Sequence, residues 1–174
     1  MKYILSIIVV IITYVIISNV VVANNLIPDD AIRVRVIANS NDDYDQKIKY
    51  EVKDIVEDDM YKLLNNVTNL DIARNKIRSN LNIVEDDIDT YLKNKNYNLG
   101  FDINFGYNYF PKKEFKGITY KEGYYESVVV TLGSGNGDNW WCVLFPPLCL
   151  IEVEESTDVE YTSLVKEIVD KYIN

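Results

Sequence analysis

The stretch IRVRVIANSNDD, residues 32–43, decides how this chain begins to fold. Ile32, Val34 and Val36 alternate with two arginines. Because successive side chains of a strand point to opposite faces, this alternation predicts a strand with one buried face. Residues 39–43 then supply asparagine, serine and aspartate, which cap helices and place acids in the first helical turn. The stretch therefore predicts a strand that leads directly into a helix.

Two helical regions follow this strand. Apolar residues recur at helical spacing over roughly 43–64, which predicts one helix that Asn65-Asn66 ends. A second apolar series starts near Asn69 and continues to residue 92. Ser79-Asn80 interrupts this series and suggests a break into two shorter helices, the second of them capped before the acids at 85–87. The region therefore predicts two or three helices.

Strands dominate the next part of the chain. The hydrophobic period changes to two from Leu99, and further strands are predicted at 124–132 and 140–145. The loop Gly133-Ser-Gly-Asn-Gly137 between them predicts a hairpin turn that uses residues tolerant of positive φ. A phosphate-binding loop is the alternative, but no Lys-Ser/Thr follows it. Strand, helices and then strands predict an α+β domain with helices on one face of an antiparallel sheet.

Both ends of the chain differ from this domain. The first 23 residues carry a single charge, Lys2, and an apolar run, which predicts a signal peptide cleaved after Ala23. An uncleaved membrane anchor is the alternative, because about 20 apolar residues are enough to cross a bilayer. The predicted order is a signal peptide or anchor at 1–23, a linker at 24–30, an α+β domain at 31–152, and an acidic tail at 153–174 with a short amphipathic helix.

Composition excludes several classes of function. Of the 174 residues, 48% are hydrophobic and 26% are charged, as in an ordinary soluble domain. The 18 basic and 27 acidic residues give a net charge of −9, so we expect no nucleic-acid partner. The chain has no histidine, which excludes Ser-His-Asp and Cys-His catalysis and every His-containing zinc site. We therefore predict no catalytic, cofactor or metal site.

Three acid clusters are the residues most open to an enzymatic interpretation: 42–45, 57–59 and 85–87. A calcium loop counted from Asn39 fails, because tyrosines stand where glycine and glutamate are needed. Two of the carboxylates could converge as a hydrolase pair. We favour the interpretation that these acids lie at helix N-termini and on solvated faces.

The segment NWWCVLFPPLCL, residues 139–150, is the most unusual one in the chain. Trp140 and Trp141 are adjacent on a predicted strand, so they should point to opposite faces. At least one should point outward unless both sheet faces are covered. An exposed tryptophan beside the stiff Pro146-Pro147 turn is a good anchor for a protein partner. We therefore predict a partner-binding surface at these four residues.

The same segment contains both cysteines of the chain, Cys142 and Cys149. In an exported protein, two cysteines this close are first interpreted as a short-loop disulfide. Two buried free thiols and one reactive thiol are the alternatives. Neither cysteine has a histidine to act as its base, so a hydrolytic nucleophile is disfavoured.

Two blocks of the sequence resemble the stage II sporulation protein R family: Val36-Ile-Ala-Asn-Ser40 with its acid-rich helix start, and Asn139-Trp-Trp-Cys-Val-Leu-Phe-Pro-Pro-Leu-Cys149. The tyrosine-rich stretches at 109–111 and 123–126 also fit this family. The resemblance covers roughly residues 31–152. Arg35 departs from the leucine or histidine expected there.

The resemblance implies a secreted signalling protein of spore-forming bacteria without enzymatic activity or a cofactor. Such a protein is made in the forespore and crosses into the space between the two septal membranes. There it triggers a membrane-embedded aspartic protease of the mother cell, which processes the precursor of sigma-E. Membrane contact would involve only the N-terminal segment, if uncleaved. An exported hydrolase and a cell-wall-associated structural protein are the alternative functions.

Overall fold

The computed structural model describes residues 7–14, 27–115, 118–148 and 158–173. Residues 7–14 are helical, and the proposed cleavage residue Ala23 lies outside the described residues. In the described ranges, no helix has the length and apolar character needed to cross a membrane. The remaining elements are β1 (Ile32–Ile37), α1 (Asp43–Leu64), α2 (Leu70–Asn94), β2 (Phe101–Phe110), β3 (Lys113–Phe115), β4 (Ile118–Tyr120), β5 (Gly123–Leu132), β6 (Asn139–Phe145) and α3 (Asp158–Ile173).

Four strands form the main sheet, in the order β2-β5-β1-β6. β1 pairs with β5 in parallel and with β6 antiparallel, and β2 pairs with β5 antiparallel. The predicted α+β class is therefore confirmed, with a sheet that is mixed where the sequence predicted antiparallel strands. β1 lies between β5 and β6, which follow one another in the chain, and it runs parallel to β5 and antiparallel to β6. Hydrophobic alternation carries no information on strand direction, so the sequence pattern could not show it.

The loop between β5 and β6 crosses the end of β1. Its backbone binds the segment after β1, where the N–H groups of Asn136 and Gly137 donate to the carbonyls of Asn39 and Ala38 at 3.0 and 2.9 Å. The predicted positive φ is present, at +53° for Gly133. A Cβ on Gly137 would clash with the backbone carbonyl oxygen of Ser40. The predicted hairpin turn is nevertheless wrong, because β1 occupies the place between the two strands.

Two helices, not three, lie between β1 and β2. α1 has the predicted bounds, and α2 begins after Asn69, whose side chain accepts a hydrogen bond from the Ile72 N–H at 3.1 Å. The predicted break at Ser79-Asn80 is absent, since α2 runs unbroken to Asn94. A serine or asparagine costs a helix only about 0.5 kcal/mol. The buried stripe on both sides of that point, which includes Ala73, Ile77, Val84 and Ile88, outweighs this cost.

The helices bury two separate hydrophobic clusters. α1 and α2 cover one face of the sheet, which carries Val34 and Val36 and which we call the first face. α3 packs through Val165 and Ile168 against residues at the edge of the sheet and before it. The apolar stripe predicted for the tail is confirmed, because Val165 and Ile168 are buried in this second cluster and the rest of the stripe packs against it: Leu164, Val169 and Tyr172.

Candidate partner-binding surface

Trp140 and Trp141 lie on opposite faces of β6, as their adjacent positions predict. Trp140 is the cross-strand neighbour of Val36, and its side chain packs against the core of the first face. Trp141 is the neighbour of Arg35 on the other face, which we call the second face. Both indoles are half-buried, since each face of the sheet is at least partly covered.

The two prolines do not lie beside Trp141. Pro146 is buried after a cis peptide bond, and Pro147 lines a cavity with the end of α1 and with Tyr172 of α3. Pro146 is five positions after Trp141 along the chain, or roughly 16 Å away at about 3.3 Å per residue of strand. The structure therefore does not bring together the four residues that the sequence predicts as one surface.

Cys142 is half-buried on the first face, opposite Val34, and packs against the core there. It is a disulfide cysteine. Its predicted partner, Cys149, lies outside the described residues. The Cys142–Cys149 bridge therefore stays a prediction, although the reactive-thiol interpretation of Cys142 does not fit a cysteine that is already bonded.

The second face carries an arginine–aromatic cluster, which consists of Arg33, Arg35, Phe110, Tyr125 and Trp141. The guanidinium carbon of Arg33 lies 3.3 Å from the centroid of the Tyr125 ring, and that of Arg35 lies 5.3 Å from the Phe110 centroid. Phe110 in turn meets Trp141 edge-on, with ring centroids 5.1 Å apart. Such contacts of cations with ring faces and of rings with ring edges are attractive.

Arg33 is buried, although the alternation in β1 predicted that it faces solvent. Its side chain is only 3% exposed, so the prediction that β1 has a single buried face is wrong. The cover comes from the β3–β4 hairpin. The Lys113 Nζ lies 4.9 Å from the Trp141 ring centroid, and the Tyr120 ring lies 6.0 Å from the guanidinium of Arg33. Each strand of this hairpin has only three residues, too few to give a recognisable alternation.

Hydrogen-bond donors in the arginine–aromatic cluster are buried without acceptors. These are four nitrogens: Nε and Nη1 of Arg33, Nε of Arg35 and Nε1 of Trp141. Among the described residues, no carboxylate lies within the 4.0 Å of an ion pair from either arginine. Burial lowers the pKa of both arginines, and the neighbouring Tyr125 offsets part of this for Arg33. Buried donors of this kind are costly until an acceptor reaches them.

Asp59 of α1 and Asp87 of α2 come from two of the acid clusters and lie near one another where these helices pack. Asp59 is buried, and its Oδ1 accepts a hydrogen bond from the Lys62 Nζ at 3.1 Å, while its Oδ2 has no partner. Burial raises the pKa of Asp59, and the nearby Asp87 raises it further. Within the described part of the chain, no three acids or cysteines are grouped as a metal site would need. The acids at 85–87 lie within α2, not at the start of a third helix.

The block Asn39-Ser40 has a structural explanation. The buried Asp45 accepts hydrogen bonds from the Asn39 amide at 2.7 Å and from the Ser40 hydroxyl at 2.6 Å. Asn39 also accepts one from the Ser134 N–H at 2.9 Å. This network joins the β1–α1 connection to the β5–β6 loop. Asp45 is therefore an acceptor within a structural network, in the first turn of α1 as predicted.

The sequence pattern does not identify Arg33, Arg35, Phe110 and Tyr125 as members of a candidate surface. Arginines that alternate with valines are typical of the solvent side of a strand. One feature of the sequence could have indicated that the arginines are buried. The tyrosine-rich strands elsewhere in the chain provide rings on which a buried guanidinium can stack.

Comparison with known proteins gives a consistent result. The family profile described as stage II sporulation protein R matches residues 28–155. A protein named "Stage II sporulation protein R" from Bacillus subtilis (strain 168) is 36% identical over 135 residues, which is 78% of this chain. The match spans 60% of that relative's own length. No solved structure gives a significant match. The region matched by the family includes β1, both tryptophans and the whole arginine–aromatic cluster.

Proposed function

We propose, since this chain belongs to the stage II sporulation protein R family, that it is an exported signal that activates a membrane-embedded aspartic protease. The family resemblance drawn from the two sequence blocks is confirmed, and the chain is a sporulation protein of that family. In our proposal it is made in the forespore and acts in the space between the septal membranes. The activated protease of the mother cell then processes the sigma-E precursor.

The arginine–aromatic cluster is the surface that we assign to the protease. The observation that carries this assignment is the concentration of four unpartnered buried donors on one face of the sheet. Residues that dominate binding energy at protein interfaces are most often tryptophan, tyrosine and arginine, and all three contribute to this cluster. A partner that displaces part of the covering β3–β4 hairpin and supplies acceptors here would remove a cost that the free protein bears.

Trp141 is the anchor that we assign within this surface, and Trp140 is its matched control. Trp141 has an unpartnered indole N–H and packs only on the second face, whereas Trp140 packs on the core under the helices. Loss of an anchor tryptophan commonly costs 2 kcal/mol or more, roughly a 30-fold change in affinity. Truncation of a tryptophan in a core costs about 3–5 kcal/mol of folding stability.

Co-expression with the protease and the sigma-E precursor tests the assignment. Trp141→Ala is expected to abolish precursor cleavage with a small change in melting temperature. Trp140→Ala is expected to lower the melting temperature more and to reduce cleavage only in proportion to the folded fraction. If both variants lose stability equally and cleavage falls in step, Trp141 is a core residue and the assignment is wrong.

A further inference from the structure

A cavity of about 190 Å³ opens on the second face, beside the start of β1. Arg33 and Tyr125 form its sheet side, and Thr119 and Lys121 line it from the end of the β3–β4 hairpin and the turn that follows. Asp29, which precedes β1, lies on its wall as well. The cavity is separate from Trp141 and contains a buried positive charge.

The charge of Arg33 is not neutralised by the described residues. The side chain is 3% exposed, and two of its three guanidinium nitrogens have no acceptor. Tyr125 stacks on the flat side of the guanidinium, while Nε and Nη1 at its edge are buried and have no acceptor. Asp29 acts on Arg33 through its charge without forming an ion pair within 4.0 Å. A buried guanidinium that is stacked but unpaired is prepared for an anion.

The chemistry of the walls favours a carboxylate among anions. A guanidinium edge matches the two oxygens of a carboxylate in a bidentate pair. Arg33 and Lys121 bring two positive charges to the walls and Asp29 brings one negative charge, so the net charge matches a carboxylate with one negative charge better than a phosphate with two. The rings of Tyr120 and Tyr125 supply apolar surface for the methylene groups behind a carboxylate.

We propose that this cavity is a binding site for a carboxylate group, with Arg33 as the residue that recognises it. The group can come from an acidic side chain of a protein partner or from a free small molecule. The first source rests on the proposed function, because the protease would supply that side chain. The carboxylate specificity itself does not depend on the proposed function.

Titration of the full chain with a small probe tests the site directly. The probe is N-acetylglutamate α-amide, which has one carboxylate, and its neutral control is N-acetylglutamine amide. We expect the carboxylate probe to shift the NMR signals of Tyr120 and Tyr125 saturably, and the neutral amide to leave them unchanged. Inorganic phosphate is expected to bind at least tenfold more weakly. Equal binding of the amide or of phosphate, or no saturable shift, overturns the proposal without the need for any variant.

Variants then assign the recognition to Arg33. Arg33→Gln is expected to weaken probe binding at least tenfold, and Arg33→Lys, which keeps the charge but loses the fork, to give an intermediate value. The control is Arg78→Gln, because Arg78 also lies over a ring, 5.7 Å from the Phe105 centroid, and is exposed. Melting curves identify any variant that does not fold. Unchanged binding in a folded Arg33→Gln protein contradicts the proposal.

Precursor cleavage in the co-expression assay distinguishes the two sources. If Arg33→Gln loses both probe binding and cleavage, a partner's side chain supplies the carboxylate. If it loses probe binding but keeps cleavage, the partner source is wrong and the site takes a free carboxylate. If the wild-type chain binds the probe but never activates the protease, the proposed function fails and the carboxylate site stands.

Discussion

The first face of the sheet is apolar and closes a core under α1 and α2, whereas the second face buries two arginines among aromatic rings. A first-face side chain such as Val34 has no polar atom that needs a partner, so all of its burial stabilises the folded state. The second face includes four unpartnered donors, which reduce the stability that its burial contributes. The comparison indicates that the first face supports the fold, while the second keeps groups that a partner can satisfy.

The largest effect is expected from a cavity in the first core. Ile77→Ala in α2 removes a fully buried side chain and should lower the free energy of unfolding by about 3 kcal/mol. Ile72→Ala is the matched control in the same helix, because Ile72 is 53% exposed, and its effect should stay within about 0.5 kcal/mol. Urea denaturation measures both. Similar losses in the two variants would break the assignment of the first face as the main source of stability.

Paired and unpaired arginines give the next contrast. Arg74 of α2 donates from Nε to both carboxylate oxygens of the buried Glu126, at 2.8 Å each. Arg74→Met would leave Glu126 buried and uncompensated, at an expected cost of about 2–3 kcal/mol. Arg33→Met removes a charge that has no ion-pair partner, so its net effect should lie within about 1 kcal/mol.

The same denaturation experiment compares these two arginine variants. A loss for Arg33→Met as large as that for Arg74→Met would mean that Arg33 stabilises the second face, and the contrast between the faces would be lost. Glu126→Gln is a useful companion, because it tests whether the cost of Arg74→Met comes from the carboxylate left behind.

The smallest expected effect concerns the buried carboxylate of Asp59 on the helix side, whose Oδ2 has no partner. Burial raises the pKa of Asp59, so the folded chain keeps this proton to a higher pH than the unfolded chain does. As the pH rises above the ordinary pKa of about 3.9, the unfolded state ionises first, and stability falls until the folded pKa is passed. Asp59→Asn, which cannot ionise, should therefore raise the free energy of unfolding at pH 7 by about 1 kcal/mol.

Two measurements check Asp59→Asn. Denaturation at pH 3 should show little difference from the wild type, because Asp59 is then protonated in both the folded and the unfolded chain. A gain of the same size at both pH values would assign the effect to something other than ionisation. Precursor cleavage should be unchanged by this variant, whereas a hydrolase that used Asp59 and Asp87 would lose its activity.

Local patterns predicted many of the elements well. The bounds of α1, the cap of α2 at Asn69, and the strands β5 and β6 follow from periodicity and capping residues. The break expected at Ser79-Asn80 was wrong because tertiary packing of the stripe around it is stronger than a local propensity. The β3–β4 hairpin was missed because three-residue strands do not establish a period.

The candidate surface was predicted only in part. The opposite orientation of Trp140 and Trp141 follows from strand geometry alone. The sequence could not show that Trp141 meets Phe110, 31 positions earlier, or that Pro146 is buried. The alternation in β1 predicted that Arg33 faces solvent. The residues of β1 cannot show that the β3–β4 hairpin, far away in the chain, covers that side of the strand.

The sequence by itself determined the family, the α+β class and the order of the longer helices and strands, because each of these depends on motifs or on neighbours two to four residues apart. Only the tertiary structure decided that β1 lies between β5 and β6, and that Arg33 is buried against Tyr125. These features join residues about 90 to 110 positions apart, such as Arg33 with Ser127 and Val34 with Cys142. Their formation depends on loop closure and on competition among all possible strand pairs, and no local pattern records either.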